Sequence, residues 1–283
     1  MAASRDNGTS TNSHSDIVEQ KMPQPIPPTS AVDAYIRELS PGQPRSLAGI
    51  ALRAFLLGVA CTGSVVLCVY LVFPRRQFPA YQAPPNPLWR APFFLACLSL
   101  FHFLEFYTTA LANTRFATIS AFLLSQNGMA YNIAHLTALT ECILTSICFP
   151  SWQRRNPASS LKAGIALVIL GQAVRSAAML TAGANFNHTI QTRRAATHTL
   201  VTGGIYSVLR HPSYFGFFWW AIGTQIAIGN TACLAGYVAV LWMFFRNRVR
   251  KEEVLLLDFF GQDYAQYRKR SWVGIPLVGG QII

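Results

Sequence analysis

The chain has 283 residues, of which 52% are apolar and only 12% charged, and it carries a formal net charge of +12. A soluble globular domain carries about 25% charged residues, and several apolar runs here reach the ~20 residues a helix needs to cross a hydrocarbon core. An ordinary soluble domain is therefore excluded. The expected class is all-α, a polytopic helical integral membrane protein; its Lys and Arg lie in loops and at helix ends, which suits lipid head groups and topology signals rather than nucleic acid.

Residues 1–46 are rich in Ser, Thr, Asn, Pro and Gln and bury too little apolar area to fold alone. They read as a disordered cytosolic tail, with a short amphipathic piece near residues 33–39. No basic segment followed by an apolar core opens the chain, so no cleaved signal peptide is expected. The first membrane helix then acts as its own insertion signal, and the sequon at residues 7–9 stays cytosolic and unused.

The N-terminal transmembrane region is placed at 47–183. Its spans are predicted at 47–73 (with Arg53 snorkelling near the start), 91–112, 129–149 and 161–183, with a Pro-rich loop over 74–90. His102 and Glu105 fall inside the second span, His135 and Glu141 inside the third, and Arg175 inside the fourth. Ionisable groups at such depths pair with one another or face a cavity. Helix-to-helix glue and a lining for a polar substrate group are both open readings, and no spacing separates them. The six cysteines all sit in apolar runs without a CxxC pair, so neither metal nor disulfide is indicated.

The catalytic region is placed at 184–283: a cofactor loop, a helical hairpin and a C-terminal amphipathic helix. Residues 197–216, THTLVTGGIYSVLRHPSYFG, concentrate groups that can hold a polar ligand: His198, Thr199, Tyr206, Arg210, His211, Ser213 and Tyr214. Gly203 and Gly204 let the loop fold closely over a ligand. Pro212 suits the first position of a helix, whose free N–H groups would offer an anion site. A capped interfacial helix with aromatic residues at head-group depth is the competing reading of the same residues.

The apolar tract at 214–245 is too long for one helix and is interrupted at Gly229-Asn230, a turn signal; each half is short for an upright span of ~20 residues. A tight hairpin that returns to its starting side is expected, giving about six spans in all. Basic residues flank it, with Arg193, Arg194 and Arg210 before and Arg246, Arg248, Arg250 and Lys251 after, which makes that face cytosolic. Arg75, Arg76, Arg154 and Arg155 obey the rule poorly. After the hairpin, residues 254–260 followed by Gly261 look like a helix end. Arg248 and Glu252 share one helical face, either as a surface ion pair or as two charges of a site. Tyr264 and Tyr267 read as interface anchors. Walker, GxGxxG, GxSxG and HExxH signatures are absent.

Together, LVTGGIYSVLRHPSYFG, the hairpin and RNRVRKEEVLLLDFFGQDYAQYRKR closely resemble the isoprenylcysteine carboxyl methyltransferases, as does TAGANFNHTIQ at 181–191. The resemblance covers the C-terminal part of the chain, and the RHPSYFG core alone is shared with membrane phospholipid methyltransferases and some sterol reductases. It implies S-adenosyl-L-methionine-dependent methylation of the C-terminal carboxylate of farnesylated or geranylgeranylated cysteine in processed CaaX proteins such as small GTPases. The implied location is the endoplasmic reticulum membrane, multi-pass, with the site facing the cytosol. By motif match, Gln191, His198, Thr199, Leu200, Val201, Tyr206, His211, Pro212, Ser213, Tyr214 and Glu252 would hold the cofactor. Arg248 would bind the substrate carboxylate, with Arg210 and Glu252 supporting catalysis, and no metal is implied. A phospholipid N-methyltransferase and a non-enzymatic transporter are the alternatives, the second disfavoured by the lack of a visible inverted repeat.

Overall fold

The computed structural model describes residues 30–73 and 85–279. The sequon at 7–9 and most of the Pro-rich loop lie outside the described residues. The chain divides near Arg37, where the amphipathic piece forms α1 (Ser30–Leu39). The remaining helices are α2 (Leu47–Val72), α3 (Arg90–Ala112), α4 (Gly128–Cys148), α5 (Pro150–Arg155), α6 (Ala158–Ala182), α7 (Pro212–Ile228) and α8 (Ala232–Arg270). Among the described residues the only extended pairing is one isolated bridge between Leu209 and Trp272.

Among the described residues, three helical segments are long and apolar enough to cross a membrane: Leu47–Val72, Pro87–Ala112 and Ala158–Asn185. The count of about six is therefore only half reached on length and composition. Asn132, His135 and Glu141 dilute α4, and α7 has 17 residues. The Ser46 hydroxyl caps α2 by accepting from the N–H of Gly49. Along α2 large apolar side chains stay exposed, Phe55 at 67% among them. An exposed helix that is apolar all round fits lipid as its solvent.

The tightest seam joins α6 to α7. A Cβ on Gly171 would lie 2.5 Å from the Trp220 nitrogen, and one on Gly216 would lie 2.6 Å from the Gly171 carbonyl oxygen. Gly164 and Gly223 extend the same seam one step further. Small residues at such a crossing let two backbones pack in contact where water supplies no driving force. On its other side α7 packs Trp220 against Phe101 of α3, with ring centroids 4.5 Å apart.

The hairpin turn forms at Gly229 and Asn230 as expected. Glu141 of α4 caps the returning helix, its carboxylate accepting from the N–H groups of Thr231, Ala232 and Cys233 at 2.7, 2.9 and 2.7 Å. These are orphan donors of a helix start, and a carboxylate is the strongest partner for them. Glu141 thus glues α4 to the hairpin. His135 does likewise through the Tyr237 hydroxyl at 2.8 Å. His102 ties α3 to the following connection, at 2.8 Å from the Phe122 carbonyl, and to Tyr131 of α4 at 3.1 Å.

One helix end differs from expectation. Gly261 leaves helical geometry (φ 53°, ψ −125°), yet α8 only kinks there and resumes to Arg270. The residues after the glycine are held by tertiary contacts: Tyr264 and Tyr267, three apart on one face, are 1% and 2% exposed. They do not anchor the tail at a membrane interface. The Tyr267 hydroxyl donates to the Tyr206 carbonyl at 2.6 Å, and burial pushes its pKa up to about 12, keeping it a donor.

Candidate functional site

The site forms where the end of α6, the loop to α7, the start of α7 and the C-terminal half of α8 converge. Pro212 opens α7 at its first turn, as expected, and the N–H groups of Tyr214 and Phe215 close onto the His211 carbonyl. The loop before it is pinned at both ends. Asn185 bonds the Thr199 backbone N–H at 2.9 Å and its hydroxyl at 3.1 Å, while the Arg210 N–H donates to the Trp272 carbonyl and the Trp272 N–H to the Val208 carbonyl.

These elements enclose a polar cleft of about 700 Å³, partly open to solvent. Its wall includes His198, Thr199, Leu200, Val201, Tyr206, Arg210, His211, Pro212, Ser213, Tyr214 and Glu252. Gln191 is not in that wall; it is turned to the carbonyl of its neighbour Thr189 at 3.1 Å. Ala182, Asn185, Phe186, Asn187, Leu256 and Phe260 complete the cleft and are not assigned to it from sequence, together with Tyr264 and Tyr267, which read from sequence as membrane-interface anchors instead. The Asn-Phe-Asn-His run directly after an apolar span was the available signal for Asn185, Phe186 and Asn187.

A second cavity, about 1000 Å³ and dominantly apolar, adjoins the first. Ala130 and Ala134 of α4, Phe217 of α7, and Leu241, Phe244 and Phe245 of α8 line it. The two cavities share Phe186, Asn187, Ser213 and Tyr214, and Arg248 stands in the wall of the apolar one.

At the junction Tyr214 stacks flat on His211, with ring centroids 5.4 Å apart. Its hydroxyl donates to Glu252 Oε2 at 2.5 Å and accepts from Arg248 Nε at 2.8 Å. Arg248 Nη2 donates to the His188 carbonyl at 2.6 Å. Arg248 and Glu252 thus meet through Tyr214, and no direct ion pair joins them among the described residues.

Two buried charge clusters hold this arrangement. Below it, Glu105 of α3 takes both carboxylate oxygens to Arg175 of α6 and also meets His188 Nε2 at 3.0 Å. Arg175 Nη1 in turn donates to the Ser213 hydroxyl at 2.9 Å and carbonyl at 3.2 Å. Beside it, Arg210 donates to Glu253 at 2.6 Å, to the Ser271 carbonyl at 2.6 Å and to the Gly279 carbonyl at 3.1 Å. With three donors committed, Arg210 braces the cleft. Burial alone would raise the Glu253 pKa, but His211 and Arg210 outweigh it and hold the carboxyl below its ordinary value. The pKa of His198, half-buried and near Arg194, is lowered by desolvation and by that charge, which favours the neutral ring.

A polar cleft opening beside a lipid-like cavity, with a cation at their junction, can bring a soluble donor to an amphiphilic acid. The comparisons agree. A family model for the isoprenylcysteine carboxyl methyltransferase (ICMT) family matches residues 164–258. The chain is 39% identical over 234 residues to the protein-S-isoprenylcysteine O-methyltransferase of Saccharomyces cerevisiae, covering 81% of this chain and 91% of that one. It is 41% identical over 187 residues to the human enzyme of the same name, covering 66% of this chain and 65% of that one. A solved structure of the eukaryotic intramembrane Ras methyltransferase ICMT superposes with a TM-score of 0.72 at 34% identity, covering 82% of this chain and 77% of that one. The chain belongs to the isoprenylcysteine carboxyl methyltransferase family.

Proposed function

We propose that this isoprenylcysteine carboxyl methyltransferase binds S-adenosylmethionine in the polar cleft and the prenyl group of its acceptor in the apolar cavity. The observation that carries the reading is Tyr214, which belongs to both walls and is gripped by Glu252 and Arg248 through one hydroxyl.

The cleft suits that donor. Glu252 and the stacked faces of His211 and Tyr214 favour a cationic centre, while the positive end of the α7 dipole favours a carboxylate. The Tyr264 hydroxyl, buried in the cleft wall with no hydrogen-bond partner among the described residues, is a donor free for a ligand. His198, Thr199, Leu200, Val201, Tyr206, Pro212 and Ser213 supply the remaining wall. When bound, S-adenosylmethionine supplies an electrophilic methyl group on a sulfonium.

An acceptor carboxylate, with a pKa near 3.5, is ionised at neutral pH and needs no general base. The protein's task is to strip its water and aim one oxygen. Arg248 has Nε on Tyr214 and Nη2 on His188, which leaves Nη1 to meet the acid. One contact orients the carboxylate without the two-armed neutralisation that would blunt it.

The helix pattern and the basic flanks of the hairpin support six spans, with the cleft on the cytosolic side of the endoplasmic reticulum membrane. The polypeptides that would present such an acceptor are processed CaaX proteins, small GTPases among them. The prenyl chain would arrive sideways from the bilayer and the methyl donor from water. The test uses purified enzyme in liposomes with labelled S-adenosylmethionine and either N-acetyl-S-farnesylcysteine or phosphatidylethanolamine. Base-labile label is expected on the first alone. Label on the phospholipid instead, or S-adenosylmethionine affinity unchanged in both Glu252→Gln and His211→Ala, overturns the reading.

A further inference from the structure

A third cavity, about 1050 Å³, leaves the same junction in another direction. Arg248, His188, Asn187 and Phe244 are common to it and the apolar cavity. Its outer wall is the connection between α3 and α4: Leu123 and Asn127 there are shared with the apolar cavity, but Thr118, Ser120 and Gln126, faced by Thr189, line neither of the other two. Its lining mixes polar and apolar atoms, and its fixed charge is confined to the junction end, at Arg248.

The connection is a built wall. The Ile119 N–H donates to the Pro44 carbonyl at 2.7 Å, tying it to the segment before α2. His102 of α3 holds the Phe122 carbonyl, and the Thr118 and Ser120 hydroxyls bond each other at 2.6 Å. Leu123 sits in the left-handed region (φ 56°), a conformation that costs a branched residue and persists only when its surroundings impose it.

A prenylcysteine acceptor has three substituents to place around its Cα. The carboxylate and the thioether with its lipid are accounted for by Arg248 and the apolar cavity; the third is the amide nitrogen that continues into the polypeptide. We propose that the third cavity receives the polypeptide immediately preceding the prenylcysteine, an inference that rests on the function proposed above. Hydroxyls and side-chain amides both donate and accept, so they serve peptide N–H and C=O groups alike. An outer wall without charge grips the main chain and leaves the side-chain sequence unselected. This geometry makes one active site serve many proteins that share only their modified C-terminus.

The test compares two acceptors on the full-length enzyme in liposomes: N-acetyl-S-farnesylcysteine, which ends at the acetyl group, and a farnesylated peptide with a free C-terminal carboxylate. Ser120→Leu and Gln126→Trp alter the outer wall only. Each is expected to raise KM for the peptide about three- to tenfold, the scale of one lost hydrogen bond. KM for N-acetyl-S-farnesylcysteine, and kcat with either acceptor, are expected to stay at the wild-type value. An equal rise for both acceptors, or no rise for the peptide in either variant, overturns the inference. Wild-type enzyme that methylates neither acceptor overturns the underlying reading, and the inference with it.

Discussion

Arg248 Nε lies 2.8 Å from the hydroxyl of Tyr214, and the same hydroxyl donates to Glu252 at 2.5 Å. The phenol therefore sets the separation of a cation and an anion that share one face of α8. Removing it in Tyr214→Phe keeps the ring stack on His211 but leaves both charges to find new partners. Charge-assisted bonds contribute about 1.5–3 kcal/mol, so kcat/KM is expected to fall roughly 10- to 100-fold. The fold should hold, and a melting temperature that drops as far as activity does would show the phenol to be structural only.

The two charges should separate by substrate. Arg248→Lys keeps the charge but cannot reach Tyr214 and the His188 carbonyl with one planar group. It is expected to raise acceptor KM about tenfold or more while leaving S-adenosylmethionine affinity intact. Glu252→Gln is expected to do the reverse. Calorimetric titration of the donor, run beside acceptor kinetics, reads both; matching losses in both variants would contradict the division.

Glu105 shows how far this site depends on a group remote from it. It is 1% exposed and joins α3 to Arg175 and His188, whose other contacts hold Ser213 and Arg248. Glu105→Ala strands a buried arginine, which costs about 3–5 kcal/mol. The expected readout is a large fall in thermal stability in detergent. Glu105→Leu combined with Arg175→Met should recover much of the stability yet not the activity, because Ser213 would lose its anchor.

Much of the architecture is legible in the sequence, and the reason is physical. Membrane helices announce themselves by uninterrupted apolar runs, so the span predicted at 47–73 and α2 at Leu47–Val72 nearly coincide. The cleft residues between His198 and Tyr214 fall together because they are close in sequence and Pro212 fixes where the helix starts. What stayed hidden depends on distant partners. Glu105 meets Arg175 and His188 across 70 and 83 residues, and no local pattern reports such a pairing. Tyr264 and Tyr267 looked like interface anchors because nothing local says that α8 resumes beyond Gly261.

The Glu253 cluster makes stability depend on pH in a fixed sense. Its folded pKa is depressed, so its contribution is complete above the unfolded value near 4.3 and is lost as pH falls through the lower folded value. The difference in melting temperature between wild type and Glu253→Gln should be flat from about pH 5.5 to 8 and shrink below about pH 4. A difference that instead grew on acidification would mean the carboxyl is protonated in the folded protein.

The α6–α7 seam carries the last prediction, because it sets where the cleft helix begins. In Gly171→Ala the new methyl would sit 2.5 Å from the Trp220 nitrogen and 2.6 Å from the Gly216 carbonyl oxygen, both backbone atoms that no rotamer change can move aside. The helices must part, at a cost of about 1–3 kcal/mol, and Ser213 and Tyr214 move with α7. Stability and kcat/KM are expected to fall together. Gly58→Ala is the control, since a Cβ there meets nothing within 4 Å and alanine favours the helix by up to about 1 kcal/mol. If both variants behave alike, the seam does not position the site; if Gly171→Ala alone lowers melting temperature and turnover, close backbone contact between α6 and α7 is what holds Tyr214 at the junction.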